Sequence, residues 1–298
     1  MFQSIRSNKA KTTAIVAGIF LFFAGIVYVI SFFLLELGHF AVVFALVISF
    51  LVSFGAYWNS DKIVLRLHNA RPATPEQDAK LNNILEGLCI ASGMPKPRLY
   101  VMEDRALNAF ATGRNPNNAV ICVTTGLLDR LDYYQLEGVV AHELAHIKNY
   151  DILLQTVAGI MIGAALIASR FVSRAMIRGR SGGGSNRGGY GALIMLAVGL
   201  IFAILAPIAG QLLKMSLSRN REFLADATGA KFTRNPEALA SALEAISGSS
   251  IPMQRASNAT EGMYIVTPCV ELRSKRKSNP FSTHPPIEKR VEALRNLR

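Results

Sequence analysis

Two long uncharged apolar runs, Thr12 to Leu35 and Phe40 to Trp58, are separated only by the short link Glu36 to His39. A helix of about 20 apolar residues crosses the hydrocarbon core of a bilayer. In lipid every backbone polar group must be satisfied within the spanning segment, so the pair predicts a helical hairpin. A secretory signal peptide has a shorter apolar core followed by a small-residue cleavage site, and no convincing site of that kind follows the first run. Tyr57 and Trp58 stand where interfacial aromatic residues collect. Two further apolar runs follow, Ile152 to Ala168, which contains Gln155, and Ala192 to Leu213, which contains Pro207 and Gln211. The chain of 298 residues is 51% hydrophobic and 17% charged, below the usual share of about 25% charged.

The basic residues orient these runs. Arg6, Lys9 and Lys11 precede the first, Lys62, Arg66 and Arg71 follow the second, and the link between them has Glu36 and no Lys or Arg. The positive-inside rule then places both flanks in the cytoplasm. The linker between the last two runs is rich in Gly and carries Arg170, Arg174, Arg178, Arg180 and Arg187. That charge opposes a linker on the far side, so the last pair either breaks the rule or dips into the membrane and returns. Four spans is the reading adopted. The formal net charge of +12 follows these membrane flanks, which argues for anionic lipid and against nucleic acid as its partner. The three cysteines, Cys89, Cys122 and Cys269, have no paired spacing. They suggest reduced thiols in a cytosolic catalytic domain.

Between the second and third runs lies a globular stretch. Thr74-Pro75-Glu76-Gln77 has a capping residue, Pro at the first helical position and Gln three after the cap. The expected helix runs to about Ser92 and stops at Gly93. Arg98 to Met102, Asn108 to Thr112 and Ala119 to Thr124 read as short strands. Asp132 caps a helix that contains His142-Glu143-Leu144-Ala145-His146, an H-E-x-x-H motif. Residues four apart on a helix lie about 40° apart around the axis, so both imidazoles share one face and can hold one Zn²⁺. Glu143 projects beside that face, placed to take a proton from water. Later helices are expected over Lys214 to Lys231, Pro236 to Ser247 and Pro285 to Leu297, with Gly248 to Pro280 a loop of little order.

The motif needs a third ligand. One zinc-protease class supplies it with Gly and then His just downstream, but those positions hold Asn149 and Ile152, so that class fails. The other route takes Glu from a later helix. In Arg221-Glu222-Phe223-Leu224-Ala225-Asp226 the two acids share a helix face. Glu222 can ligate while Asp226 accepts a hydrogen bond from the remote nitrogen of a ligand His. The bland alternative is a solvated acidic face pairing with Arg219 and Arg221. His284, one of only five His, sits at a helix entrance in Thr283-His284-Pro285-Pro286. It is a candidate donor to the developing oxyanion, set against an ordinary loop histidine. His68 reads as a surface or packing residue and His39 as interfacial. Asn108, Ala109 and Phe110 begin a candidate edge strand to which an extended substrate can pair.

At this point a resemblance is specific. The N-terminal apolar hairpin, Asn108-Ala-Phe-Ala-Thr-Gly113, the His142 to His146 motif running on to Asn149-Tyr150-Asp151, and two later apolar runs all belong to it. So do Ser218-Arg-Asn-Arg-Glu-Phe-Leu-Ala-Asp226 and His284-Pro-Pro-Ile-Glu-Lys-Arg290. Together they resemble the HtpX-type membrane-bound zinc metalloproteases and, more distantly, the CAAX prenyl proteases. The resemblance covers nearly the whole chain, and the Gly-rich linker departs from it. It implies one Zn²⁺ per chain on His142, His146 and Glu222, with Glu143 as base. It also implies an endopeptidase in the bacterial cytoplasmic membrane, acting on polypeptides, misfolded membrane proteins above all, in quality control under stress.

The expected fold is a mostly α membrane protein with a small β-sheet, in which multispanning helices carry a cytoplasmic zincin-like metalloprotease domain. The expected divisions are 1–58 for the hairpin, 59–151 and 214–298 for the catalytic domain, and 152–213 for the second apolar pair. The main rival is a CAAX-type protease that trims prenylated peptides, which shares the zinc site but normally has more spans than the two pairs here. A multispanning metal-binding or transport protein is the rival from another class. It has no use for Glu143 beside the ligands, and the four runs lack the buried acids that a transport path uses.

Overall fold

A computed structural model describes residues 40–156, 219–254, 261–266 and 284–297, with isolated positions before residue 29. The first apolar run, most of the third, the fourth and the Gly-rich linker lie outside them. Helix α1 (Phe40–Trp58) presents Phe40, Val43, Phe50, Leu51, Phe54 and Trp58 outward. Among the described residues no helix is long and apolar enough to cross a membrane. A short α2 (Ser60–Leu67) follows.

Helix α3 (Pro75–Ser92) begins as its sequence requires. Thr74 Oγ1 accepts the Gln77 N–H while the Gln77 side chain accepts the Thr74 N–H, and Gly93 closes the helix at φ 66°. The left-handed backbone there suits a residue without Cβ. Strands β1 (Arg71–Pro72), β2 (Arg98–Met102), β3 (Ala109–Gly113) and β4 (Ala119–Thr124) form one mixed sheet in the order β1-β2-β4-β3. β2 and β4 run parallel, and β3 returns antiparallel to β4 with Phe110 opposite Cys122. This makes β3 an edge strand. Helices α4 (Thr125–Arg130) and α5 (Tyr133–Lys148) follow β4 directly.

After the undescribed segment come α6 (Arg219–Thr233), α7 (Pro236–Gly248) and α8 (Ile287–Arg295). The Lys214 to Lys231 helix is thus present over its described part and runs two residues longer. Leu136, Val139, Val140, Leu144 and Ile147 of α5 are buried with Leu239, Leu243 and Ile246 of α7 and with Val291 and Leu294 of α8. The motif-bearing helix is therefore the axis of the core, not a surface element.

One expectation is corrected. Residues 261–266 are not an orderless loop: they form a short 3-10 turn, and Tyr264 then pairs antiparallel with Phe110 on the outer edge of β3. The motif helix and the start of the third apolar run are two separate helical segments. The first ends at Lys148, Tyr150 takes φ 60°, and helix resumes at 151–156. A left-handed turn in a bulky residue is costly. Here it redirects the chain so that Asp151 faces back toward α5.

Candidate metal centre

Helix α5 is capped by Asp132, whose carboxylate accepts the Gln135 N–H while the Gln135 side chain accepts the Asp132 N–H. Three turns later it delivers His142, Glu143 and His146, all buried. Helix α6 lies across it and supplies Glu222 and Asp226 from positions one turn apart, also buried. The close approach depends on Gly229: a Cβ there would stand 3.0 Å from the backbone nitrogen of His142.

The three expected ligands converge. Their ligand atoms all lie within 4.8 Å of one another. His142 Nε2 is 3.2 Å from His146 Nε2, Glu222 Oε2 is 3.8 Å from His142 Nε2, and Glu222 Oε1 is 3.6 Å from His146 Nε2. Each imidazole points its other nitrogen at a carboxylate. His142 Nδ1 lies 2.9 Å from Asp226 Oδ1, and His146 Nδ1 lies 3.1 Å from Asp151 Oδ2. Ionised carboxylates only accept, so each ring donates from Nδ1 and turns Nε2 inward, the atom that offers a lone pair to a metal when the ring is neutral. Asp226 therefore stands where the sequence places it.

Asp151 and two arginines were not foreseen as site residues. Asp151 sits five residues beyond His146 in Lys148-Asn149-Tyr150-Asp151, and only the turn at Tyr150 brings it onto the ring. Arg290, on α8, is fully buried; its Nε and Nη2 hold Asp226 Oδ2 and Oδ1 at 2.8 and 2.7 Å, and its Nη1 stands 3.4 Å from Glu222 Oε2. Arg221 Nε stands 3.6 Å from Asp151 Oδ1. No local pattern marks Arg290, because its partners come from α5 and α6. Arg221 was read only as an exposed pair for the acids of its own helix.

The charges respond to this crowding. Burial opposes ionisation of Asp226, yet Arg290 and the His142 hydrogen bond hold its carboxyl below the usual range. Burial also opposes charge on His146, but Asp151, Glu222 and Glu143 outweigh it and push the imidazole up to about 9. His142, beside it, is lowered, chiefly by burial. Burial lifts the Glu143 carboxyl to about 7, while His146 and Arg290 oppose the rise. The Ala111 backbone amide also favours the charged form of Glu143, whose Oε1 has no hydrogen-bond partner, as Glu222 Oε2 has none.

These residues fit a divalent metal. Metal–nitrogen distances of 2.0–2.1 Å in a tetrahedral site place two ligand nitrogens about 3.3 Å apart, close to the observed 3.2 Å. Four buried carboxylates, Glu143, Asp151, Glu222 and Asp226, face the guanidiniums of Arg221 and Arg290. A divalent cation between neutral imidazoles closes that deficit.

The remaining expected residues gather here too. His284 is buried with Nε2 4.0 Å from Glu222 Oε2, and burial lowers its pKa. Ala109 and Phe110 lie on β3 with Asn108 just before it, all buried. Their outer edge is occupied by Tyr264, Ile265 and Val266. His68 is a packing residue, buried against Phe110 and Tyr264.

With this geometry in place, three comparisons can be set beside it. Residues 75–298 match the model of peptidase family M48. The chain is 45% identical to a protease HtpX homolog of Dictyoglomus thermophilum over 297 residues, covering 99% of this chain and 94% of that protein. It is also 45% identical to one from Thermoanaerobacter pseudethanolicus over 245 residues, covering 81% of this chain and 80% of that one. Among solved structures, the crystal structure of S. mikatae Ste24p aligns at TM-score 0.49 and 16% identity, covering 99% of this chain and 67% of that one.

Proposed function

Since the chain belongs to peptidase family M48 and is a metalloendopeptidase, we propose that it is a zinc enzyme cleaving extended polypeptides at the cytoplasmic face of a bacterial membrane. The observation that carries this reading is the convergence of His142, His146 and Glu222 around one point with Glu143 buried beside them. The donor set of two imidazoles and one carboxylate is the chemistry that favours zinc.

Bound zinc would supply a Lewis acid that polarises the scissile carbonyl and acidifies water. The chain's own residues do the rest. Asp226 and Asp151 fix the tautomers of His142 and His146, so that Nε2 of each stays a lone-pair donor. Glu143, held near neutrality by burial, accepts a proton from the attacking water and returns one to the leaving amine. Ala111 N–H steadies Glu143 from the sheet edge. His284, entering α8 beside Glu222, is placed to donate to the oxygen that gains negative charge.

The membrane setting is supported by the apolar runs, by their basic flanks and by the outward apolar side chains of α1. The N-terminal hairpin and the later pair form four spans with the site facing the cytoplasm. Arg114 stacks on Trp58 at 4.5 Å and donates to its carbonyl oxygen, joining the end of the catalytic sheet to the end of α1. The natural substrates are misfolded membrane proteins under stress; the resemblance to the HtpX type supports that role.

The test compares wild type with Glu143→Gln, purified in detergent, for zinc content and casein cleavage. The variant should keep its zinc and lose cleavage. Full cleavage by the variant would remove Glu143 from the chemistry.

A further inference from the structure

The outer edge of β3 is closed by the chain itself. Thr124 N–H donates to Asn108 O within the sheet, and alternation along an antiparallel strand then turns the backbone groups of Ala109, Ala111 and Gly113 outward. Internal partners meet this edge: Ala109 O accepts Ile265 N–H at 3.0 Å, and Gly113 N–H donates to Thr156 Oγ1 at 3.3 Å.

The first closure has the form of a bound peptide. Tyr264 bridges Phe110 in antiparallel register. The Asn108 side chain brackets Val266, Nδ2 donating to its carbonyl at 2.9 Å and Oδ1 accepting its N–H at 3.4 Å. Ile265 O accepts Arg290 Nη1 at 3.0 Å, the nitrogen that also faces Glu222. The backbone of Ile265 is thus held between the sheet edge and the metal-binding carboxylate. The side chains fill the space as well: Tyr264 packs edge-on against Phe110 and His68, and Ile265 and Val266 join the main core.

We propose that Tyr264 to Val266 occupy the substrate's place as a built-in competing strand, which an extended apolar polypeptide must displace before it is cut. This rests on the peptidase reading above. An intramolecular competitor lowers the fraction of open cleft and raises the apparent KM by that factor, leaving kcat untouched. It also selects substrates. Only an unfolded segment can replace the backbone hydrogen bonds, and only apolar side chains can refill the buried positions. A permanent fifth strand of the fold would have neither effect.

Two measurements on the full-length, zinc-loaded protein in detergent decide it. Ile265→Pro removes the N–H that Ala109 O accepts. With an internally quenched apolar peptide it should lower KM about tenfold and leave kcat within about twofold; an unchanged or raised KM overturns the proposal. Should that variant fail to fold, hydrogen exchange on Glu143→Gln with the same uncut peptide serves instead. The amides of Ile265 and Val266 should lose protection when the peptide binds, and retained protection overturns the proposal. If no variant cleaves although zinc is bound, the peptidase reading fails, and the exchange experiment still judges the strand.

Discussion

The two metal-facing histidines are held by parallel relays of unequal build. One runs from Arg290 through Asp226 to His142. It joins three helices, is fully buried, and its contacts lie at 2.7, 2.8 and 2.9 Å. The other runs from Arg221 through Asp151 to His146. Its carboxylate lies five residues from its histidine, and its contacts are longer, 3.1 and 3.6 Å. The first relay can exist only once α5, α6 and α8 have packed. The second is half formed by a local turn. Metal geometry and global stability are therefore coupled through His142 far more than through His146.

That inequality makes graded predictions. Asp226→Ala strands Arg290 in the core, and removing one partner of a buried pair costs about 3–5 kcal/mol. Thermal unfolding should show that loss, and zinc titration should show affinity weakened by about 10–100-fold. Asp151→Asn should weaken zinc binding at the lower end of that range, with a stability loss of about 1–3 kcal/mol. If the two variants lose equal stability, the relays are equivalent and the distinction collapses.

Gly229→Ala probes the long-range relay without touching its charges. The added methyl meets the His142 backbone at 3.0 Å, and overpacking of this kind costs about 1–3 kcal/mol. Zinc affinity should fall with it, because α6 carries Glu222. Gly87→Ala, in the open middle of α3 with nothing within 4 Å, should instead stabilise by about 0.5–1 kcal/mol. Opposite signs in two helical glycines would tie the first effect to contact with α5.

The smallest effect concerns a third buried imidazole. His68 faces aromatic rings instead of carboxylates, and burial lowers its pKa despite the bond to Val64 O. The folded state therefore disfavours its charged form, so its contribution is full above the unfolded value of about 6.5 and is lost as pH falls below it. The melting temperature of His68→Phe should fall less than that of wild type between pH 7 and pH 5, measured without metal. A parallel decline would show that His68 takes no part.

Much of the fold could be read locally. The Thr74 and Asp132 caps, the stop at Gly93, strands β2 and β4 and the shared helix face of His142 and His146 all follow from short-range patterns, because capping, period and spacing involve residues within one or two turns. What escaped reading has the opposite character. Arg290 carries no local mark of its role. Tyr150 is not a residue that invites a positive φ, and the segment around Tyr264 is flanked by Ser, Asn and Lys that resemble open loop. These features answer to partners on other elements, 64 residues away for Arg290 with Asp226 and 154 for Tyr264 with Phe110, or to a strain that the surrounding packing imposes.

The order of residues along the chain was enough for the chemistry. Two imidazoles and a carboxylate at helical spacing, with an acid beside them, leave few alternatives to a metallopeptidase site. It was also enough for the apolar character of the flanking runs. Packing settled everything that depends on distance between elements: which carboxylate orients which histidine, that a buried arginine binds two of the acids, and that the outer edge of β3 is filled by the chain itself. The H-E-x-x-H pattern is a property of side chains a few residues apart. Tautomer, charge balance and cleft occupancy arise only where separate helices and strands bury their polar groups against one another.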